Sequence, residues 1–198
     1  MTAELNPSPL YARFERHSVS PAALVIAFLW GLAEATLFFI VPDVHLALVA
    51  LIRWRRGLLA TLVAVAGALV GGTIMYTLTA YNEAAMIDVL VRVPYINAEI
   101  VRAVSAKMQA SGLRAMVSFP LLAPYKVYAV QAALHHAFLS FLLMSIPSRL
   151  GRILPVILTG AAVGVVFRRF IQRHTVLVIS VYGLLWVAVY VVYYLHMR

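Results

Sequence analysis

Three ionisable side chains stand in sequence that is otherwise apolar, and prolines interrupt the chain beside them. Glu34 and Asp43 lie within GLAEATLFFIVPDVHLAL, where Pro42 immediately precedes the aspartate. Lys126 lies within FPLLAPYKVYAV, behind Pro120 and Pro124. A charge at the centre of a lipid-embedded helix costs at least about 2.5–3.5 kcal/mol on insertion scales. A proline there also frees a backbone carbonyl that lipid cannot satisfy. Both are tolerated where they face protein or a wet cavity. Two interrupted segments of the same form, in corresponding halves of a chain, point to a binding site near the bilayer midplane. The chemistry on offer is ionic: acids and a base line a polar cavity, and the prolines end half-helices there. The carboxyls also offer proton sites, with Glu34 foremost. Plainer readings stand beside this one. Pro42-Asp43 could mark a surface loop between two short helices, and Lys126 could snorkel to a headgroup.

Other chemistry is sparse. The chain has no cysteine, which excludes disulfides, thiolate metal sites and Cys nucleophiles. His135 and His136 are adjacent, so on a helix they point about 100° apart and rarely share a ligand site. No metal or other cofactor is expected. His45, two residues past Asp43, is either a proton relay or an ordinary polar-cavity histidine. GALVGG is no phosphate loop, because it lacks the Lys-Ser/Thr ending and lies inside a spanning pattern. No Asp pair at protease-like spacing and no phosphatase arrangement of His, Ser and Arg is visible, so the chain is not expected to be an enzyme.

The elements that must position these residues are helices in a membrane. Of the 198 residues, 64% are hydrophobic, where globular domains average roughly 45–50%, and mean hydropathy is +0.93. The reading is an all-α polytopic membrane protein with a polar N-terminal lead over residues 1–20 and a single membrane domain over 21–198. The lead lacks the apolar region and small-residue cleavage site of a signal peptide, so the first apolar segment is expected to stay in the mature protein. Residues 21–52 form one broken block, too long for one comfortable span and too short for two. Residues 57–80 are a clear span, with Gly67, Gly71, Gly72, Ala64 and Ala68 forming a small-residue stripe for close helix approach. Residues 81–112 read as amphipathic surface helices split at Pro94. Residues 113–146 form a second broken block, followed by spans at 149–167 and 175–195. In the last span Tyr190, Tyr193, Tyr194 and the nearby His196 suit an interfacial aromatic belt.

Net charge is +9, with 16 Lys and Arg against 7 Asp and Glu. The basic residues gather at the ends of apolar segments, so they are assigned to topology and anionic headgroups rather than nucleic acid. The clusters at 53–56 and 168–173 are both expected on the cytoplasmic side. Block 113–146 then makes no net crossing, as a re-entrant hairpin does; Arg149 and Arg152 vote the other way. Those two arginines stand three apart and share a face on one helix, or are simply positive-inside residues at a helix start.

These residues also carry a family resemblance. The chain resembles the DedA/VTT membrane-protein family (SNARE-associated Golgi protein domain), above all its small bacterial members, over residues 25–168. AEATLFFIVPDVHLAL resembles the family's opening motif, an acid before a proline-containing break that carries a second acid. FPLLAPYKVYAVQAALHHAFLSFLLMSIPSRLGR resembles its P-x-P-[FY]-K-[VF] pattern, then a small-residue pair, an apolar helix and G-R-x-x-R. GALVGGTIMYTL resembles the Gly-rich helix between them. The departures are Ser118 where Arg is common, Ala133 where Gly follows the second break, and Ser148 where Gly usually precedes the Arg.

The resemblance implies two opposed re-entrant hairpins meeting in the membrane, surrounded by spanning helices. It carries the family's functional acids onto Glu34 and Asp43, its basic residue of the second break onto Lys126, and its terminal basic pair onto Arg149 and Arg152. It implies lipid translocation in a bacterial inner membrane, of undecaprenyl phosphate or a phospholipid, with possible proton coupling. Lys126, Arg149 and Arg152 are then the candidates for binding the lipid phosphate, helped by half-helix N-termini. Glu34 and Asp43 pair with them when the cavity is empty or exchange protons. A small-ion or solute transporter is the alternative, because broken helices with acid and base fit it equally well; an intramembrane lipid-phosphate enzyme comes third.

Overall fold

The first two helix starts are written into the chain by a capping serine followed by a proline. Ser8 caps α1 (Pro9–Val19) by accepting the Tyr11 N–H, and Ser20 caps α2 (Pro21–Ala35) by accepting that of Ala23. Proline at the first helical position suits both, since its missing N–H has no partner there. The computed structural model of the protein describes residues 8–118 and 123–196. The remaining elements are α3 (Asp43–Ile52), α4 (Trp54–Tyr81), α5 (Glu83–Val91), α6 (Ala98–Ser111), the 3-10 helix η1 (Gly112–Met116), α7 (Tyr125–His135), α8 (Phe138–Val166), α9 (Arg168–Arg173) and α10 (Thr175–His196). Among the described residues there is no strand. Among the described residues three helices are long and apolar enough to cross a membrane: α4, α8 and α10.

α4 is the axis, with α2, α3, α7 and α8 packed around it. Its small-residue stripe makes that possible. A Cβ on Gly67 would lie 2.1 Å from the Phe28 carbonyl oxygen of α2, and one on Gly72 would lie 2.3 Å from the Tyr125 hydroxyl of α7. Only glycine lets the two backbones come so close.

The first block leaves one end of the molecule and returns to it. Beyond α3, Arg53 pairs with Glu15 of α1 at 2.6 Å. Leu51 and Ile52 pack with Tyr11 of α1 and Ile171 of α9. At the opposite end the chain returns at His136, within the second block, to where η1 began. Gly112 lies beside His136, and the Tyr76 hydroxyl, near the far end of α4, donates to the His136 carbonyl at 2.7 Å. Between those points Met116 has moved inward, where its carbonyl accepts from Ser148 at 2.7 Å. The arginines of both basic clusters, Arg53, Arg55, Arg56 and Arg168, line one groove at the α1 end.

Three boundaries differ from the sequence reading. The break expected between 146 and 149 is absent, because α8 runs unbroken from Phe138 to Val166 with Pro147 inside it. Packing against α3 and α4 along its length outweighs the one hydrogen bond that Pro147 removes. The span expected at 57–80 starts at Trp54, so Trp54, Arg55 and Arg56 form the first turn of a helix. Pro42 and Pro124 precede α3 and α7 as their N-cap residues and start these half-helices rather than end others. A fixed φ suits that position. Pro120 lies outside the described residues, as do the side chains of Tyr193, Tyr194 and His196.

The Gly67 contact yields a stability prediction. Gly67→Ala should destabilise the protein by about 1–3 kcal/mol through overpacking, seen as a lower thermal midpoint in detergent. Gly183→Ala, with nothing within 4 Å of its Cβ, should not lower it. Equal midpoints would show that α2 and α4 are not packed this closely.

Candidate functional site

The polar site forms where the two blocks meet. α2 stops at Thr36, whose hydroxyl turns back onto the Leu32 and Ala33 carbonyls, and the Phe38 N–H donates to Ala33. The freed backbone of the break then finds side-chain partners. Trp30 Nε1 donates to the Ile40 carbonyl at 2.9 Å, the Val41 N–H donates to the Tyr190 hydroxyl at 2.9 Å, and Lys126 Nζ donates to the Phe38 carbonyl at 2.6 Å. Buried backbone groups need such partners, so the non-helical stretch is held by bonds to α2, α7 and α10.

Glu34 sits in the last turn of α2 and Asp43 in the first turn of α3, 4% and 5% exposed. Both face α8, which presents Arg149 and Arg152 one turn apart. Arg149 Nη2 pairs with Glu34 Oε2, both buried. Arg152 Nη2 stands 3.8 Å from Asp43 Oδ1. Arg149 also stacks over the Tyr125 ring at 4.1 Å, and the Tyr125 hydroxyl donates to Ser145 at 2.8 Å. Lys126, 1% exposed, comes from the first turn of α7. Thus Glu34, Asp43, Lys126, Arg149 and Arg152 come together, with three cations against two carboxylates.

A cavity of about 270 Å3 opens among them, lined by Glu34, Lys126 and Arg152 and by the aromatic Tyr95, Trp186 and Tyr190. A smaller extension of about 40 Å3 continues past Arg149 and Ser148. Arg149 Nε, Arg152 Nε and Nη2, and Asp43 Oδ1 are buried and make no hydrogen bond. Buried polar groups are normally satisfied, so unused donors remain beside the cavity. The N-termini of α3 and α7 abut the site too, and their unpaired N–H groups favour negative charge. Formal excess of positive charge, unused guanidinium donors and two helix N-termini suit a bound anion. The larger groove of about 580 Å3 at the α1 end is lined by arginines and apolar side chains, with no carboxylate among the lining residues; its Arg53 pairs with the partly exposed Glu15 rather than with a buried acid.

Several site residues escaped the sequence reading. Tyr125 carries the stacking surface for Arg149; its place between Pro124 and Lys126 was the available signal. Tyr190 is no simple belt residue, since its hydroxyl accepts a bond from the break. Tyr95 reaches the cavity from the α5–α6 link, its ring tilted against that of Phe39 with centroids 5.6 Å apart. Its φ of 69° lies in the left-handed region, which costs a bulky residue about 1–3 kcal/mol. His45 bonds the Ala23 carbonyl at 3.1 Å and stacks on Trp30, which gives it a role in joining α3 to α2. No group of three or more His, Asp or Glu side chains able to hold a metal occurs among the described residues. Ser148, a departure from the resembling pattern, ties η1 to α8 through Met116.

The stacked guanidinium separates the two arginines experimentally. Arg149→Lys keeps the charge but loses the planar contact with Tyr125, and should cost roughly 1–2 kcal/mol. Arg152→Lys, at a longer and more exposed pair, should change the thermal midpoint in detergent far less. Equal effects would remove the special role of Arg149.

Comparisons of the chain with family models, with characterised proteins and with solved structures each find no match. Its function is therefore read from the geometry.

Proposed function

We propose that the protein is a lipid translocator of the bacterial inner membrane, one that moves a lipid with an anionic phosphate headgroup, and not an enzyme. The observation that carries this reading is the meeting of Glu34, Asp43, Lys126, Arg149 and Arg152 beside a cavity that Glu34, Lys126 and Arg152 line. In this reading α2–α3 and the segment from η1 to α7 are opposed re-entrant hairpins. α4, α8 and α10 cross the bilayer, and the basic α1 end faces the cytoplasm. Undecaprenyl phosphate and phospholipids are the substrates the sequence resemblance suggests.

The mechanism follows from the pairing. With no lipid present, Glu34 and Asp43 balance Arg149 and Arg152, since an isolated buried charge is far more costly than a pair. A phosphate that enters the cavity meets Lys126, Arg152 and the N-termini of α3 and α7. Charge-assisted bonds to these donors replace the water that a headgroup loses on leaving the interface. Arg149 stays with Glu34 and with the Tyr125 ring, and so fixes α2 and α7 against α8. Glu34 is thereby engaged, whereas Asp43 Oδ1 accepts no hydrogen bond. Asp43 is therefore the better candidate for exchanging a proton during transport.

A second reading, transport of a small inorganic or organic anion, has one observation in its favour. The charged cavity of about 270 Å3 is itself of solute size.

Proteoliposomes carrying a headgroup-labelled phosphate lipid test the first reading against the second. Wild type should exchange the label between leaflets, and Lys126→Gln and Arg152→Gln should each slow exchange about tenfold or more, the loss of one charge-assisted bond. Asp43→Asn should flatten the pH dependence of exchange, while Glu34→Gln should impair folding more than it alters that profile. Wild-type liposomes that pass soluble phosphate but do not exchange lipid would contradict the lipid reading.

A further inference from the structure

The charged cavity does not end at its aromatic wall. Tyr95, Trp186 and Tyr190 line it on one side, and the same three residues line a second groove of about 560 Å3 on the other. That groove runs between the first break and α10. Trp30, Ile40 and Val44 form one flank, Val187 and Val191 the other, and none of its lining residues is charged. Its volume lies in the range of ligand clefts, about 300–1,000 Å3.

We propose that this groove is the track for the hydrocarbon chain of the phosphate lipid, and that Tyr95, Trp186 and Tyr190 are the doorway through which its headgroup reaches the charged cavity. The proposal rests on the lipid reading of that cavity and makes it specific. A soluble anion needs only the cavity; a lipid needs an apolar path joined to it, open along its length to the surrounding chains.

Three observations support this placement. The two compartments share a wall, so a molecule with a charged end and an apolar body can occupy both at once. The outer flank, α10, is the least embedded spanning helix. Only 6% of its apolar stretch is buried, against 50% for α4. Hydroxyl contacts hold it to the first block: Tyr182 donates to the Val44 carbonyl at 2.6 Å, and Tyr190 accepts from the Val41 N–H at 2.9 Å. One bond ends on the break at Val41 and the other on the first turn of α3 at Val44, so a movement of α10 and a movement of the break are linked. Finally, Tyr95 holds its left-handed backbone at the doorway, a conformation that needs support from its surroundings.

The energetics make the proposal specific. A chain already in the bilayer gains nothing hydrophobic by moving into an apolar groove, since lipid tails are as apolar as leucine. The groove fills only because the attached phosphate is held next door. Occupancy must therefore depend on the phosphate and on the cations of the cavity.

The test uses the full chain in nanodiscs and hexadecyl phosphate with a diazirine midway along its chain. Hexadecanol carrying the same diazirine is the control. After photolysis, adducts mapped by mass spectrometry should fall on Trp30, Val44, Val187 and Val191. They should exceed those on the outward-facing Leu62 and Leu158 by about tenfold, the bias one charge-assisted bond supplies. The bias should vanish with the alcohol probe and in Arg152→Gln. Val187→Trp, on an exposed face of α10, should block the groove without lowering the thermal midpoint. Even labelling of all outward faces overturns the proposal, as does full displacement of the adducts by methyl phosphate at the level where unlabelled hexadecyl phosphate displaces them, which would mark a site for free phosphate. Even labelling with lipid exchange intact removes the groove and leaves the translocator. Groove adducts without any lipid exchange keep the groove and remove the translocator.

Discussion

A carboxylate shut away from water must meet a cation, and the rest of this fold is arranged so that Glu34 meets Arg149. Glu34 comes from the first block and Arg149 from α8, the helix that follows the second, 115 positions apart. Either residue alone would leave a charge in an apolar interior, at a cost of several kcal/mol by order of magnitude. Together they hold α2 against α8. The Lys126 bond to the Phe38 carbonyl and the Tyr125 stack on Arg149 reinforce the same junction.

Two kinds of helix serve that junction. α4 and α8 are long and continuous; α4 gives its glycines to close packing, and α8 carries both arginines on one face. α2, α3 and α7 are short, and each has an end at the site. Short helices bring termini to the middle of the molecule, and termini carry unpaired backbone groups that bind charge. Three cations against two carboxylates then leave a formal surplus of positive charge, set beside aromatic residues of α10 and the α5–α6 link.

Much of this was legible in the sequence, for a physical reason. Glu34, Asp43 and Lys126 stood out because charge and proline are rare in apolar sequence, and the stripe of Gly67, Gly71 and Gly72 announced a close helix contact. The convergence of Arg149 and Arg152 on the two acids could be anticipated only from their shared face. Other features left no such trace. The role of Pro42 and Pro124 as helix starts depends on which side of the proline the chain can pack. The continuity of α8 through Pro147 depends on contacts with α3 and α4 that are remote in sequence. Trp186, Tyr190 and Tyr95 look like ordinary interfacial aromatics, because nothing local tells a ring that faces lipid from one that faces a cavity.

The central claim is that Glu34 and Arg149 are held as a pair in the interior and that this pair joins the first block to α8. A double-mutant cycle measures it directly: Glu34→Gln, Arg149→Gln and the combined variant, each unfolded thermally in the same detergent. Residues in one buried ion pair should show a coupling of about 0.5–3 kcal/mol, with the double variant less damaged than the sum of the singles. Losses that add within about 0.3–0.5 kcal/mol would mean that the two side chains do not meet, and the junction described here would not exist.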